Sequence, residues 1–205
     1  MKNYYKNLKL LTKNHVYSEE MEHDACGVGV IVSTEGKKSR EIVEHGINAL
    51  KAVWHRGAVD ADGKTGDGAG IHVEIPKDFF IEKIEVTGHD YDNAEICVGM
   101  IFLPRNDYSA QESCKTIVES ELTKNNFSIY GWRQVPVNSK ILGQKALQTM
   151  PEIIQVLFKS NDQDLLEKDL ERKIYETRKK IEKKAFQLSL NNFYICSISS
   201  KSIIY

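Results

Sequence analysis

The side chain best suited to attack a carbonyl in this sequence is a cysteine thiol, and one of the four cysteines stands apart. In Asp24-Ala-Cys-Gly-Val-Gly29 the thiol of Cys26 follows a small residue and precedes a flexible one. It opens a run, residues 27–33, whose β-branched side chains read as a buried strand. Such a thiol can serve as a nucleophile. On these residues alone, however, a small apolar cysteine heading a buried strand is the stronger reading. Cys97, Cys114 and Cys196 lie among apolar neighbours and read as buried hydrophobes. No CxxC pair and no histidine at metal-finger spacing accompanies them, and four cysteines are too few for a disulfide scaffold of this length. All four are therefore expected as free thiols, with no metal site.

The second concentration of chemistry is the stretch 57–70, which holds five glycines and three aspartates and suits a loop with exposed backbone amides. Gly63-Lys64-Thr65 invites comparison with a phosphate-binding loop, but the glycine that motif requires falls on Ala58. A helix also precedes this loop and a strand follows it, the reverse of the phosphate-loop order. Asp60, Asp62 and Asp67 do not make a calcium loop, because Lys64 takes the third ligand position and Ile71 the twelfth. His55, beside a helix end, reads as a capping or packing residue. Trp54, Trp132 and the tyrosines read as core or boundary residues.

These residues need a scaffold, and periodicity supplies one. Ser39 can cap a helix that carries Ile42, Val43, Gly46, Ile47, Leu50, Val53 and Trp54 on one face and ends at His55. Residues 71–75 alternate as a strand closed by Pro76. Strands are expected at 95–103, 127–137, 152–158, 193–198 and 202–205, and a helix at 109–124. A long charged helix at 163–187 has Leu166, Leu170, Ile174 and Ile181 as its buried stripe. The pattern is that of an α+β protein with helices packed over stacked sheets. The last strand runs to Tyr205 without a polar tail, so a truncated chain is expected.

Composition narrows the function. With 205 residues and 41% hydrophobic side chains the chain can bury a core as one domain. Lys plus Arg number 28 against 29 Asp plus Glu, so no positive field favours nucleic acid. No apolar run approaches the about 20 residues that cross a bilayer. The first fifteen residues scatter Lys2, Lys6, Lys9 and Lys13 where a secretory signal would be continuously apolar. The expectation is a cytoplasmic protein without membrane or nucleic-acid partners.

The separate motifs acquire a joint meaning in their order. Glu22-His-Asp-Ala-Cys-Gly-Val-Gly29, Ala52-Val-Trp-His-Arg-Gly-Ala58, Ala61-Asp62, Thr65-Gly-Asp-Gly-Ala-Gly-Ile71, Ile75-Pro76 and Phe79-Phe80 together resemble the N-terminal glutaminase domain of glutamate synthase large subunits. That domain is a class II glutamine amidotransferase of the N-terminal-nucleophile hydrolases. Gly131-Trp-Arg-Gln-Val-Pro-Val137, Leu142-Gly143, Pro151-Glu-Ile-Ile-Gln155 and Phe193-Tyr-Ile-Cys-Ser-Ile-Ser-Ser200 extend the resemblance to nearly everything after residue 21.

The resemblance implies a four-layer αββα sandwich, incomplete at the C-terminus, in which residues 1–25 are a propeptide and 26–205 the front part of the amidotransferase domain. Cys26 would be the N-terminal nucleophile that hydrolyses L-glutamine to glutamate and ammonia. Arg56 matches a family arginine near the nucleophile, and Gly66, Asp67 and Gly68 match a substrate-binding turn beside the same pocket. The family's oxyanion Asn-Gly pair has no counterpart here, since Asn125-Asn126 and Asn191-Asn192 lack the glycine. The chain by itself is therefore expected to be nearly inactive. No cofactor is implied in this chain. FMN and an iron-sulfur cluster are implied in downstream synthase domains that would use the ammonia, with a glutamate synthase small subunit as a further partner. The alternatives are an amide hydrolase of this class with another substrate, and an inactive fragment that keeps the fold.

Overall fold

The computed structural model describes residues 6–7, 10, 27–54, 57–162 and 165–205. Its centre is the apolar run Cys97–Leu103, strand β2, buried on both faces as a central strand must be. We number the elements along the chain as α1 (Arg40–Ala52), β1 (His72–Glu74), α2 (Lys77–Val86), β2, α3 (Tyr108–Lys124), β3 (Phe127–Gln134), α4 (Gln144–Thr149), β4 (Glu152–Ser160), α5 (Glu167–Gln187), β5 (Tyr194–Ser199) and β6 (Ser202–Ile204).

β2 lies between β4 and β5 in an antiparallel sheet of order β3-β4-β2-β5, and β1 pairs with β6 in a second, two-stranded antiparallel sheet. The period-2 alternation of β2 divides the core. Cys97, Ile101 and Leu103 join Ile117, Val118 and Leu122 of α3 and Leu170, Ile174 and Ile181 of α5 on one face. Val98 and Met100 join Phe80 and Ile84 of α2 and Ile203 of β6 on the other. Two helices thus cover one face of the larger sheet, and α2 with the small sheet covers the opposite face. Each such side chain, fully buried, stabilises the fold by about 1.5–3 kcal/mol.

The caps follow their sequence signals. The Ser39 hydroxyl accepts from the Ile42 amide at 3.4 Å at the start of α1, and the Asp107 carboxylate accepts from the Ala110 amide at 2.9 Å at the start of α3. Thr177 is buried on the stripe of α5 and satisfies itself by donating to the Lys173 carbonyl at 2.8 Å.

Four expectations need correction. Residues 27–33 form no strand; Val28, Val30 and Val32 are exposed. β-branched composition favours extended backbone, but a strand needs a neighbour's hydrogen bonds, and among the described residues none pairs with this run. No residue of α1 is buried, so its apolar stripe is only half covered, and Trp54 is 74% exposed rather than a core or boundary residue. Leu166 precedes the first turn of α5 as its exposed cap, so the buried stripe starts at Leu170. Cys196 is half-buried at a β2/β5 register shift, whereas Cys97 and Cys114 are fully buried as expected. Two short helices, α2 and α4, had no sequence expectation.

Candidate active site

The loop read as chemistry-bearing folds as a small hairpin. Val59 and Gly66 form an antiparallel bridge, and the Asp60 amide donates to the Thr65 carbonyl at 2.7 Å. The chain reverses through Gly63, whose φ of 67° favours a residue without a Cβ. The turn is built on Asp62. One carboxylate oxygen accepts from the Lys64 amide at 2.9 Å and the Thr65 amide at 2.7 Å, and the other accepts from the Thr65 hydroxyl at 2.6 Å. The Thr65 hydroxyl, followed by the Thr65 and Lys64 amides, holds the Asp62 carboxyl well below the usual carboxylate range.

These bonds explain why Gly63-Lys64-Thr65 is no phosphate cradle: the Lys64 and Thr65 amides and the threonine hydroxyl already serve Asp62. Nor do the aspartates converge on a cation. Asp60 pairs with Lys145 at 2.6 Å, and among the described residues no cluster of three or more His, Cys, Asp or Glu is placed to hold a metal.

Asp67 closes the stem of the hairpin. Its carboxylate accepts from the Ala58 amide at 2.8 Å, and its own amide donates to the Ala58 carbonyl at 3.3 Å. Gly66 adjoins the same point, where a Cβ would lie 3.1 Å from the Ala58 carbonyl oxygen. Among the described residues, nothing lies within 4 Å of where a Cβ on Gly68 would stand. Gly66, Asp67 and Gly68 are thus brought together beside residues 57–58, the continuation of the segment that bears Arg56. Cys26, Arg56 and His55 lie outside the described residues.

The hairpin tip meets a distant part of the chain. A Cβ on Gly143 would fall 2.2 Å from the Thr65 hydroxyl oxygen and 2.4 Å from an Asp62 carboxylate oxygen. Lys145, in the first turn of α4, reaches the same tip through its ammonium, which donates to the Asp60 carboxylate at 2.6 Å. Sequence reasoning missed this contact, because nothing in a single sequence links residue 62 to residue 143.

A separate groove along β1 and β6 is lined by charged residues that neutralise one another. Lys77 pairs with Glu95 at 2.8 Å, Lys201 pairs with Glu167, and His72 Nε2 lies 2.7 Å from the Ser202 hydroxyl. These contacts tie α2 to the start of β2, β6 to α5, and β1 to β6.

Residues 26–205 match the model of the family described as glutamine amidotransferases class-II. The chain belongs to this family. This class-II glutamine amidotransferase is 51% identical over 199 residues to the glutamate synthase [NADPH] large chain of Azospirillum brasilense, covering 97% of the chain and 13% of that relative. It is 39% identical over 186 residues to ferredoxin-dependent glutamate synthase 1, chloroplastic/mitochondrial, of Arabidopsis thaliana, covering 90% of the chain and 11% of the relative. To the ferredoxin-dependent glutamate synthase of Antithamnion sp. it is 39% identical over 191 residues, covering 90% and 12%. The amidotransferase thus spans about an eighth of the length of these relatives. Among its described residues no helix is long and apolar enough to cross a membrane.

Proposed function

We propose that this amidotransferase is the glutaminase of a glutamate synthase large chain, with Cys26 as an N-terminal nucleophile exposed by removal of residues 1–25. The observation that carries the reading is the start of the family match at Cys26 itself, joined to 51% identity with a glutamate synthase over 97% of the chain. The larger antiparallel sheet, covered by α3 and α5 on one face and by α2 with the β1–β6 sheet on the other, supports the αββα sandwich proposed for the complete domain.

The chemistry follows from having thiol and amine on one residue. A free α-amino group has a pKa of about 7.7–8.0, so a neutral amine is available near neutral pH to take the thiol proton. The Cys26 sulfur attacks the side-chain carbonyl carbon of glutamine, and the C–N bond breaks as the amine passes its proton to the departing ammonia. Water then hydrolyses the γ-glutamyl thioester and releases glutamate and the thiol. Arg56 orients the site and favours thiolate, and the Gly66-Asp67-Gly68 turn shapes the glutamine pocket. In the whole protein the ammonia passes to downstream synthase domains, where FMN and an iron-sulfur centre serve the conversion of 2-oxoglutarate to glutamate. A small subunit as partner and a cytoplasmic location complete the proposal.

The other thiols do not compete for the role. Burial pushes Cys97 far up, and burial followed by the Asp107 charge raises Cys114 to about 11, so both remain protonated near pH 7. In the whole protein, Cys26→Ala is expected to lower glutamine-dependent glutamate synthesis by at least about 10³-fold while synthesis from added ammonia persists. Unchanged glutamine-dependent activity in that variant contradicts the proposal.

A further inference from the structure

Residues 136–150 are a surface segment in which Gly143 alone is buried, and what buries it is the glycine-rich hairpin rather than the core. Neither the short turn Ser139–Ile141 nor α4 contributes a buried side chain. A segment with so little in the core adds little to global stability by burial. Yet it is fixed to the hairpin at several points. Gly143 packs against the Thr65 hydroxyl and the Asp62 carboxylate so closely that a Cβ would stand 2.2 and 2.4 Å from them, and 2.6 Å from the Thr65 amide nitrogen. The Lys145 ammonium reaches across to Asp60 at 2.6 Å, a contact between residues 85 apart in the chain. All of these contacts converge on residues 60–65, the tip whose stem is closed by Asp67 on Ala58.

We infer that Gly143 and Lys145 form a latch that positions the glutamine-binding hairpin, with Thr65 and Asp62 as its receiving half. The inference rests on the glutaminase reading above. A hairpin joined to the body only through its two stems would carry its tip freely. Seating that tip on Gly143 fixes the register of the Val59–Gly66 bridge, hence the Asp67–Ala58 pair and the backbone leading to Arg56. The latch touches no reacting atom, so these are positioning residues, and their effect falls on the geometry of the bound substrate. Glutamine meets that geometry in its ground state as well as in the transition state, so the loss appears mainly in KM.

The test uses the whole protein, with glutamine hydrolysis and ammonia-supported synthesis measured side by side. Gly143→Ala is expected to raise KM for glutamine roughly tenfold or more, with kcat lowered by less than about threefold and ammonia-supported synthesis unchanged. Its thermal midpoint should move by less than about 4 °C, because the segment that carries Gly143 places no side chain in the core. Because an alanine there can displace the whole segment, a second pair isolates the hydroxyl. Thr65→Val should reproduce the KM effect, and Thr65→Ser, which keeps the donor to Asp62, should restore KM to within about twofold. Glutamine KM unmoved by both Gly143→Ala and Thr65→Val, in an unaltered protein that hydrolyses glutamine, overturns the latch alone. Absence of glutamine hydrolysis in the unaltered protein overturns the functional reading and the latch with it.

Discussion

Asp92 shows how a single carboxylate can tie loop to sheet. Its carboxylate is bonded by the Lys159 ammonium and accepts from the Tyr130 hydroxyl at 2.7 Å, and Lys159 also lies over the Tyr130 ring. The Lys159 bond, then the Tyr130 bond, lower its pKa from 3.8 to about 2. A depressed folded pKa means that the stability from this group is fully present above the unfolded value near 4 and is lost as pH falls through about 2. Denaturant midpoints between pH 5 and 2 should therefore fall more steeply in the unaltered protein than in Asp92→Asn; parallel curves would refute this. Nothing in the sequence marked Asp92, because its partners are 38 and 67 residues away. Asp67 was legible as a member of Gly66-Asp67-Gly68, but its partner, the Ala58 amide, became visible only once the hairpin closed. Trp54 was misread because an apolar side chain at a helix end gives no sign of whether anything covers it.

At the scale of elements, the central sheet shows how closely sequence and packing agree. β2 runs past β4 with Gly99 opposite Val156, and a Cβ at Gly99 would lie 2.7 Å from a Val156 methyl and 3.5 Å from Ile198. Gly99→Ala should therefore overpack this face and cost about 1–3 kcal/mol of unfolding free energy, read from chemical denaturation. An alanine as stable as the glycine would show that the sheet and the α3/α5 layer separate more readily than described. The core strands and the two long helices were legible because each carries its own period: near-continuous apolar character in β2 and a 3.6-residue stripe in α5. α2 and α4 were not, since ten and six residues hold too few turns for a period to stand out. Residues 27–33 failed for the opposite reason. Their composition was right for a strand, but strand formation depends on a partner that no local pattern encodes.

Across the whole molecule, the α+β class was legible from the alternation of elements, and the family from the order of short motifs spread over residues 22–200, which the match over 26–205 bears out. The joining of the hairpin to residues 143–145 was illegible for a physical reason: it rests on the close approach of two surface segments, which leaves neither periodicity nor charge pattern in the chain. For one residue to supply both the attacking sulfur and the base, the mature chain must carry Cys26 as a free N-terminus. The most direct measurement is the mass of the N-terminal peptide of the whole protein after treatment with a glutamine-mimicking diazoketone. The expected peptide begins at Cys26 and carries the adduct on that residue, with labelling suppressed by excess glutamine. A peptide that still contains residues 1–25, recovered from protein fully active on glutamine, would contradict it.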